Sequence, residues 1–279
     1  MPLGRPTWQD PAAMRLITFL PPGGDTHVGG EVRGDEAVAF ADGTTVLDRL
    51  RTGDRSPATG DAHPLADVTL LAPVPQPRAI LAIGLNYRAH IAEGVYADDP
   101  LPEKPIVFTK LPAASVPPSG PVRRPAATTK LDYEGELVIV MGADHQVAGY
   151  AVADDVSARD LQRSEPQWTR AKGSDTFCPW GPWITTADEV PDPEGLRLRT
   201  WVNGDLRQDA STADLIFGIE KLVAFITETI SLEPGDLILT GTPSGVGTYM
   251  DPPQYLDSGD VVRIEIEGLG AIEHSVVAA

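Results

Sequence analysis

Two glutamates, Glu134 and Glu136, stand directly before the apolar run 137–141. Side chains alternate along a β-strand, so residues two apart project from the same face, and Asp132 lies one step earlier on that face. Like charges beside a buried segment are costly unless an opposite charge pairs with them, and a divalent cation bound through oxygen is such a partner. The spacing indicates a metal site, although an edge strand with solvated acids has the same pattern.

A second acidic pair, Asp154 and Asp155, ends another apolar run and precedes a predicted helix. Ser157 and Asp160 have the spacing of a capping box, so we expect the helix to begin at Ser157. The two aspartates then lie at a strand end, a position where functional residues often gather.

Arg159 and Gln162 are three residues apart on the predicted helix and therefore share one face. Both side chains suit an anionic or carbonyl-bearing substrate held beside the acids. The alternative is that Arg159 pairs with Asp155 or Glu165 on the surface, an arrangement of small energetic value.

His90 and Glu93 lie on a short helix predicted between an N-cap at Asn86 and a terminus at Gly94. A carboxylate beside an imidazole orients it and favours its action as a general base. The spacing is equally typical of an ordinary contact on a helix surface.

The segment 239–247 is a glycine-rich loop that follows a predicted strand, and it lacks the Gly-Lys-Ser/Thr ending of a phosphate-binding loop. Its amides and the Thr242 hydroxyl suit an anion, whereas a structural turn explains the glycines as well. Lys172 suits a developing negative charge, but exposure to solvent is the usual state of a lysine.

The remaining pattern predicts many strands and few helices. We expect a helix from residue 211 or 212 to 230 on the period of its apolar residues. A proline-rich stretch at 71–78 predicts a boundary between a small strand-rich domain, 1–73, and a larger one, 74–279, with 1–13 as a loose extension. Strands are predicted at 14–20, 79–85, 137–141, 150–153, 196–202, 237–240 and 261–267.

Composition excludes several classes of protein. A net charge of −18 disfavours nucleic acid as a partner, and no apolar run reaches the roughly 18 residues of a membrane helix. The hydrophobic content of 42% is ordinary for a folded domain. Cys178 is the single cysteine, which excludes an intrachain disulfide and, with no signal peptide recognised, leads us to expect a cytoplasmic protein.

The motifs in their order resemble the fumarylacetoacetate hydrolase superfamily, in particular its acylpyruvate and fumarylpyruvate hydrolase-like branch. The resemblance covers about 79–270, and the front of the chain matches only loosely. It implies an α+β, mostly β fold, a mixed β-sandwich roll, assembled as a homodimer. The matching motifs are Asn86-Tyr87-x-x-His90-x-x-Glu93, Asp132-Tyr133-Glu134-x-Glu136, Asp155-Val-Ser-Ala-Arg159-Asp-x-Gln162, Lys172 and Gly241-Thr242-Pro-x-Gly-Val-Gly.

The resemblance also implies roles for individual residues. Mg²⁺ or Mn²⁺ would be held by Glu134, Glu136 and Asp155, rather than by the adjacent Asp154. His90 and Glu93 would activate water, with Lys172 as a charge partner. Substrate contacts are implied at Tyr87, Arg159, Gln162 and Thr242.

The implied substrate is a small 2-oxo or diketo acid. Our first expectation is hydrolysis of a carbon–carbon bond in an acylpyruvate or fumarylpyruvate through a metal-stabilised enolate. The alternative uses the same metal site to decarboxylate oxaloacetate or to isomerise a 2-hydroxymuconate-type acid. A catalytically silent acidic module that binds Ca²⁺ or a protein is a third possibility, in which His90, Glu93 and Lys172 would be scattered.

Overall fold

A computed structural model describes residues 14–94 and 97–279, so the predicted loose extension 1–13 lies outside the described residues. The described chain is mostly β, in a 12-stranded sheet, a five-stranded sheet and a two-stranded pair. The predicted fold class, a mostly β mixed sandwich roll with few helices, is confirmed.

The strands and helices are short and follow one another closely. The strands are β1 (Arg15–Leu20), β2 (Val28–Arg33), β3 (Glu36–Ala39), β4 (Ala62–Pro64), β5 (Thr69–Leu70), β6 (Ile80–Gly84), β7 (Ile106–Lys110), β8 (Ser115–Val116), β9 (Val122–Arg124), β10 (Leu131–Asp132), β11 (Gly135–Met141), β12 (Val147–Asp154), β13 (Ser157–Ala158), β14 (Cys178–Thr186), β15 (Arg197–Val202), β16 (Asp205–Ser211), β17 (Leu237–Leu239), β18 (Val261–Ile266) and β19 (Gly270–Ala278). The α-helices are α1 (Val46–Thr52), α2 (Arg88–Glu93), α3 (Arg159–Ser164), α4 (Thr169–Lys172) and α5 (Ile219–Thr227), and single 3₁₀ turns span Leu65–Asp67, Pro112–Ala114, Ala143–His145, Ala187–Glu189, Thr212–Asp214 and Gly247–Tyr249.

The large sheet joins the front and the back of the chain. Its main order is β4-β3-β2-β1-β14-β12-β11-β17-β6-β7, and the link between front and back is the antiparallel pairing of β1 with β14. The predicted boundary within 71–78 follows β5 and stays a prediction, as does the division into two domains.

Strand β11 lies at the centre of the core. It runs between β12 and β17, and all seven of its residues are buried. The continuous apolar sequence therefore has protein on both faces. The five-stranded sheet, in the order β16-β15-β18-β19-β9, packs against the start of β11, where Gly135 lies against Thr200 and Ile264.

The long helix predicted from residue 211 or 212 to 230 is wrong in its first half. Its start is instead the end of β16 and a 3₁₀ turn, and the α-helix is confined to Ile219–Thr227. Asn86 gives the reason: its carbonyl accepts from the N–H of Ile216 (2.8 Å), and its side chain bonds the N–H and carbonyl of Phe217 (2.8 and 3.1 Å). These long-range bonds hold residues 216 and 217 outside the helix, which therefore begins only at Ile219.

Helix α5 is nine residues long, and no helix in 14–94 or 97–279 has the length and apolar character needed to cross a membrane.

Candidate metal centre and active site

The carboxylates of Glu134, Glu136 and Asp155 converge. A ligand oxygen from each lies within 4.8 Å of the others, and all three residues are buried. The pairing of β11 with β12 brings them together: Gly135 is in register with Asp154, and the N–H of Asp155 donates to the carbonyl of Glu134 (2.9 Å). The two acidic motifs thus meet where neighbouring strands end.

The adjacent Asp154 takes a structural position. Its Oδ1 accepts from the backbone N–H of Glu134 (2.8 Å), and its Oδ2 contacts Nε2 of His274 (2.8 Å) on β19. Both side chains of that pair are completely buried. Asp154 therefore braces the strand end that carries Glu134, while Asp155 faces the other two acids.

Three cations surround two of the clustered carboxylates. Lys172 Nζ donates to Glu134 Oε2 (2.5 Å) and to Asp155 Oδ2 (2.8 Å). Arg159 Nη2 lies 2.7 Å from Glu134 Oε1, and Lys110 forms an ion pair with Asp155. Lys172 is 2% exposed, so its expected solvent exposure is wrong. Lys110 was not predicted from the sequence, where its only signal is its position at the end of an apolar run.

Glu136 is the clustered acid without such a partner, since no lysine or arginine among the described residues forms an ion pair with it. Its Oε2 accepts from the N–H of Gly241 (2.6 Å). Burial, with the negative charges of Asp155 and Glu134, raises the pKa of Glu136 well above its usual range. Burial also acts to raise the pKa of Glu134, but the charges of Arg159, Lys172 and His90 leave that pKa below its usual range.

This donor set fits a hard divalent cation. Three carboxylate oxygens are the ligands that Mg²⁺ and Mn²⁺ prefer, and a cation beside Glu136 would supply the countercharge that this residue lacks. The metal and its ligands remain predictions, and the geometry is compatible with them.

His90 and Glu93 form a pair next to this centre. His90 Nδ1 lies 2.8 Å from Glu93 Oε1, and Glu93 Oε2 accepts from the N–H of Gly245 (2.8 Å). His90 is 8% exposed and lines the same cavity, of about 330 Å³, as Glu134 and Glu136. The pair is therefore more than a contact on a helix surface.

The helix that carries this pair begins later than expected. The N-cap of α2 is Tyr87, and the predicted cap Asn86 is buried, with its amide bonded to the carbonyls of Phe217 and Thr240. The predicted terminus at Gly94 is confirmed as the C-cap. The long-range bonds of Asn86 replace the local cap and fix the start of α2 against residues 216 and 217, which precede α5, and against Thr240.

The backbone amides of the glycine-rich loop bind anions, and these anions are carboxylates of the protein's own acidic side chains. Thr242 lines the cavity, donates to the carbonyl of Gly135 (3.0 Å) and accepts from Gln208 Nε2 (2.8 Å). Separately, backbone N–H groups of the loop donate hydrogen bonds to three acidic side chains and so help to position them. The pairs are Gly241 with Glu136, Gly245 with Glu93, and Gly247 with Asp132.

The capping box predicted at Ser157 and Asp160 is wrong. Ser157 belongs to β13, which pairs with β10, and its hydroxyl donates to the carbonyl of Asp155 (2.9 Å). Asp160 accepts from the hydroxyl of Thr128 (2.5 Å) instead of capping the helix. Helix α3 begins at Arg159 because the two preceding residues, Ser157 and Ala158, form strand β13 and pair with β10.

Arg159 and Gln162 line the cavity together. Arg159 donates through Nε to Asp132 (2.8 Å) and through Nη1 to Gln162 (3.1 Å), and the alternative of a surface pair with Asp155 or Glu165 is wrong. Asp132 does not join the three-carboxylate cluster, because the shared face expected from strand spacing is broken between β10 and β11. Its partners are Arg159 and the amides of the loop near Gly247.

Tyr87 is placed differently from the other predicted substrate contacts. It is completely buried, and it is not among the described residues that line the cavity. Burial raises the pKa of its hydroxyl, which has no hydrogen-bond partner among the described residues. Two further predicted site residues lie outside the cavity wall: Asp155 belongs to the carboxylate cluster, and Glu93 lies behind His90. The remaining predicted site residues line the cavity: His90, Glu134, Glu136, Arg159, Gln162, Lys172 and Thr242.

Comparison with known proteins agrees with these motifs. Residues 79–277 match the family described as Fumarylacetoacetate (FAA) hydrolase C-terminal. The chain is 44% identical over 225 residues to the mitochondrial oxaloacetate tautomerase fahd2 of Xenopus laevis, covering 76% of this chain and 69% of that protein.

Two solved structures are similar over 95% of this chain and 100% of their own. One is a 5-carboxymethyl-2-hydroxymuconate delta-isomerase from Mycobacterium smegmatis, 38% identical with a TM-score of 0.80. The other is a fumarylacetoacetate hydrolase from Exiguobacterium antarcticum, 36% identical with a TM-score of 0.83. With the motifs, the fold and the matched residues in agreement, this chain belongs to the fumarylacetoacetate hydrolase superfamily.

Proposed function

We propose that the protein is an enzyme that moves a proton on a small 2-oxo acid, interconverting keto and enol forms or shifting a double bond, with the help of Mg²⁺ or Mn²⁺. The observation that carries this proposal is that His90, paired with Glu93, lines the same cavity as Glu134 and Glu136 of the buried carboxylate cluster. A proton shuttle beside a cation site is the minimum machinery for such a reaction.

The chemistry divides between the metal and the chain. A divalent cation held by Glu134, Glu136 and Asp155 would polarise the 2-oxo group and so acidify the adjacent C–H. His90 then takes the proton from carbon and returns it to oxygen, or to another carbon of the conjugated system. Glu93 accepts the hydrogen bond from Nδ1–H, which leaves Nε2 as the basic nitrogen.

Lys172 and Arg159 keep the cluster in place during this transfer. Their ion pairs with Glu134 fix both oxygens of that carboxylate. A rigid carboxylate set holds the polarised carbonyl at a constant position relative to His90. This role explains why two cations are buried next to a site that would also bind a cation.

Our first expectation from the sequence, hydrolysis of a carbon–carbon bond, is less well supported than its alternative. That expectation depended on the His90–Glu93 pair, which serves proton transfer equally well. The names of the compared tautomerase and isomerase favour reactions that need no attacking water. Hydrolysis remains the second candidate because the similar structure from Exiguobacterium antarcticum is named a hydrolase.

A substrate panel tests the proposal. The purified protein with Mg²⁺ or Mn²⁺ is given oxaloacetate, a muconate-type dienoate, and an acylpyruvate, and proton exchange and products are followed by NMR. We expect exchange at C3 of oxaloacetate or a shifted double bond, lost with a chelator and in His90→Ala. The matched control is His27→Ala, which removes an exposed histidine.

Two outcomes would contradict the proposal. Cleavage of the acylpyruvate without exchange on the other substrates would establish hydrolysis instead. Full activity in excess chelator would exclude the metal. A homodimer and a cytoplasmic location remain predictions, which light scattering of the pure protein and cell fractionation would check.

A further inference from the structure

Arg163 lines the cavity on the same side of α3 as Arg159, four residues earlier. Its Nη2 donates to the hydroxyl of Thr248 (2.8 Å), and the N–H of Thr248 donates to Asp132 (3.0 Å). One guanidinium nitrogen of Arg163 is thus hydrogen-bonded to Thr248, whose position is in turn fixed by its bond to Asp132. Arg163 was not predicted from the sequence, although its spacing of four residues from Arg159 was an available signal.

The charge of Arg163 has no counterpart within the described residues. The other arginine and the lysine of the cavity wall are engaged by carboxylates: Arg159 by Asp132 and Glu134, and Lys172 by Glu134 and Asp155. No carboxylate in 14–94 or 97–279 forms an ion pair with Arg163. The nearby acids have other partners: Asp160 bonds Thr128, and Glu165 pairs with Arg170.

We propose that Arg163 binds a second carboxylate on the substrate and makes this site selective for dicarboxylates. This inference rests on the proposed function and names the class of 2-oxo acid that it would take. Arg159 contacts Glu134 of the carboxylate cluster, and Arg163 lies four residues, about 6 Å along the helix axis, from Arg159. A short diacid anchored at the cluster by its 2-oxo acid end spans such a distance.

The chemistry of the side chain supports this assignment. A guanidinium presents five N–H donors in a planar fork, and Thr248 engages only one of its nitrogens. The remaining donors match a carboxylate in a bidentate arrangement. Arg159, which the sequence suggested for this task, already has Asp132 and Glu134 as partners. Arg163 is therefore the cavity cation with capacity for a substrate anion.

A binding experiment tests the inference without turnover. Malate and lactate of the same configuration differ in that malate carries a distal carboxylate where lactate has only a methyl hydrogen. Each is titrated by calorimetry into the Mn²⁺-loaded full-length protein as wild type, Arg163→Gln and Arg163→Lys. The control is Arg170→Gln, which removes an exposed guanidinium outside this cavity.

We expect the wild type and Arg170→Gln to bind malate about 10- to 100-fold more tightly than lactate. Arg163→Gln should bring the two ligands to within about threefold of each other while leaving the affinity for lactate unchanged, which also verifies its fold. Arg163→Lys should restore part of the preference, because it keeps the charge without the fork.

The inference is overturned if Arg163→Gln keeps the full preference for malate, if the wild type binds both ligands equally, or if it binds neither. The proposed function is judged separately, by proton exchange on oxaloacetate. A protein that prefers malate but exchanges no proton would retain the dicarboxylate site and lose the proposed reaction.

Discussion

The backbone N–H of Gly245 donates a 2.8 Å hydrogen bond to Oε2 of Glu93. The other oxygen of Glu93 lies 2.8 Å from His90 Nδ1. The glycine-rich loop therefore helps to position the imidazole through Glu93. Gly245 has φ +102°, and a Cβ placed there would lie 2.1 Å from the carbonyl oxygen of Arg207. Glycine is required at this position by both its backbone conformation and its close contact.

We expect Gly245→Ala to lower the free energy of unfolding by about 2 to 4 kcal/mol, from backbone strain and the clash with Arg207. Chemical denaturation measures this loss. Gly268→Ala is the matched control, because Gly268 also has positive φ (+77°) but open space around it. Only strain of about 1 to 2 kcal/mol applies there. If Gly245→Ala and Gly268→Ala lowered the free energy of unfolding equally, the close contact with Arg207 would not be a cause of the destabilisation.

Removal of the imidazole separates proton transfer from metal binding. We expect His90→Ala to lower kcat by about 10²- to 10⁴-fold, the usual contribution of a general acid–base group. Affinity for Mn²⁺ should stay within about threefold of the wild type, since His90 is not one of the three clustered acids. Steady-state kinetics and Mn²⁺ titration give the two values. A large loss of Mn²⁺ affinity would place His90 among the ligands instead.

Glu136→Gln tests the clustered acid that forms no ion pair with a lysine or arginine of the described residues. We expect the Kd for Mn²⁺ to rise by at least about 100-fold, because the variant removes one of three charged oxygen ligands. Glu228→Gln, an exposed change elsewhere, should leave the Kd unaltered. Isothermal titration calorimetry at constant pH measures both. Equal affinity in Glu136→Gln and the wild type would exclude Glu136 as a ligand.

The same residue predicts how metal binding depends on pH. Burial and the charges of Asp155 and Glu134 raise the pKa of Glu136, so a proton competes with the metal for this carboxylate. Affinity for Mn²⁺ should therefore fall as the pH falls, with proton release on binding. Calorimetry in buffers of different ionisation enthalpy counts the released protons. Their number should drop in Glu136→Gln, and an unchanged number would assign the proton to another group.

Local patterns in the sequence predicted the central elements and the acidic motifs. The apolar run after Glu134 and Glu136 correctly predicted a buried strand, and the carboxylate of Glu134, directly before β11, lies within 4.8 Å of that of Glu136 on it. Such signals depend only on neighbours in the chain. The helical period of the apolar residues predicted the buried face of α5, with Ile219, Leu222 and Ile226.

Long-range hydrogen bonds explain the failures. Asn86 bonds residues 216 and 217 and keeps them outside the helix, and β10 pairs with Ser157, so the helix starts predicted at 211 or 212 and at 157 are wrong. The burial of Lys172 depends on Glu134 and Asp155, which are 38 and 17 residues away. Hydrogen-bond partners this far apart in the sequence cannot be predicted from a local pattern. Which partner a residue bonds, a neighbour or a distant residue, depends on the complete fold.

Cys178 provides a test of the core that is independent of the active site. It is completely buried, and burial raises the pKa of its thiol from an ordinary value of 9.0 to about 12. A disulfide reagent at pH 8 should therefore leave the native protein unlabelled and react only after unfolding. Because the folded thiol binds its proton more tightly, its contribution to stability is complete below pH 9.0 and is lost as the pH rises towards 12. Cys178→Ala should reduce that pH dependence, and rapid labelling of the native protein would show that the thiol is accessible.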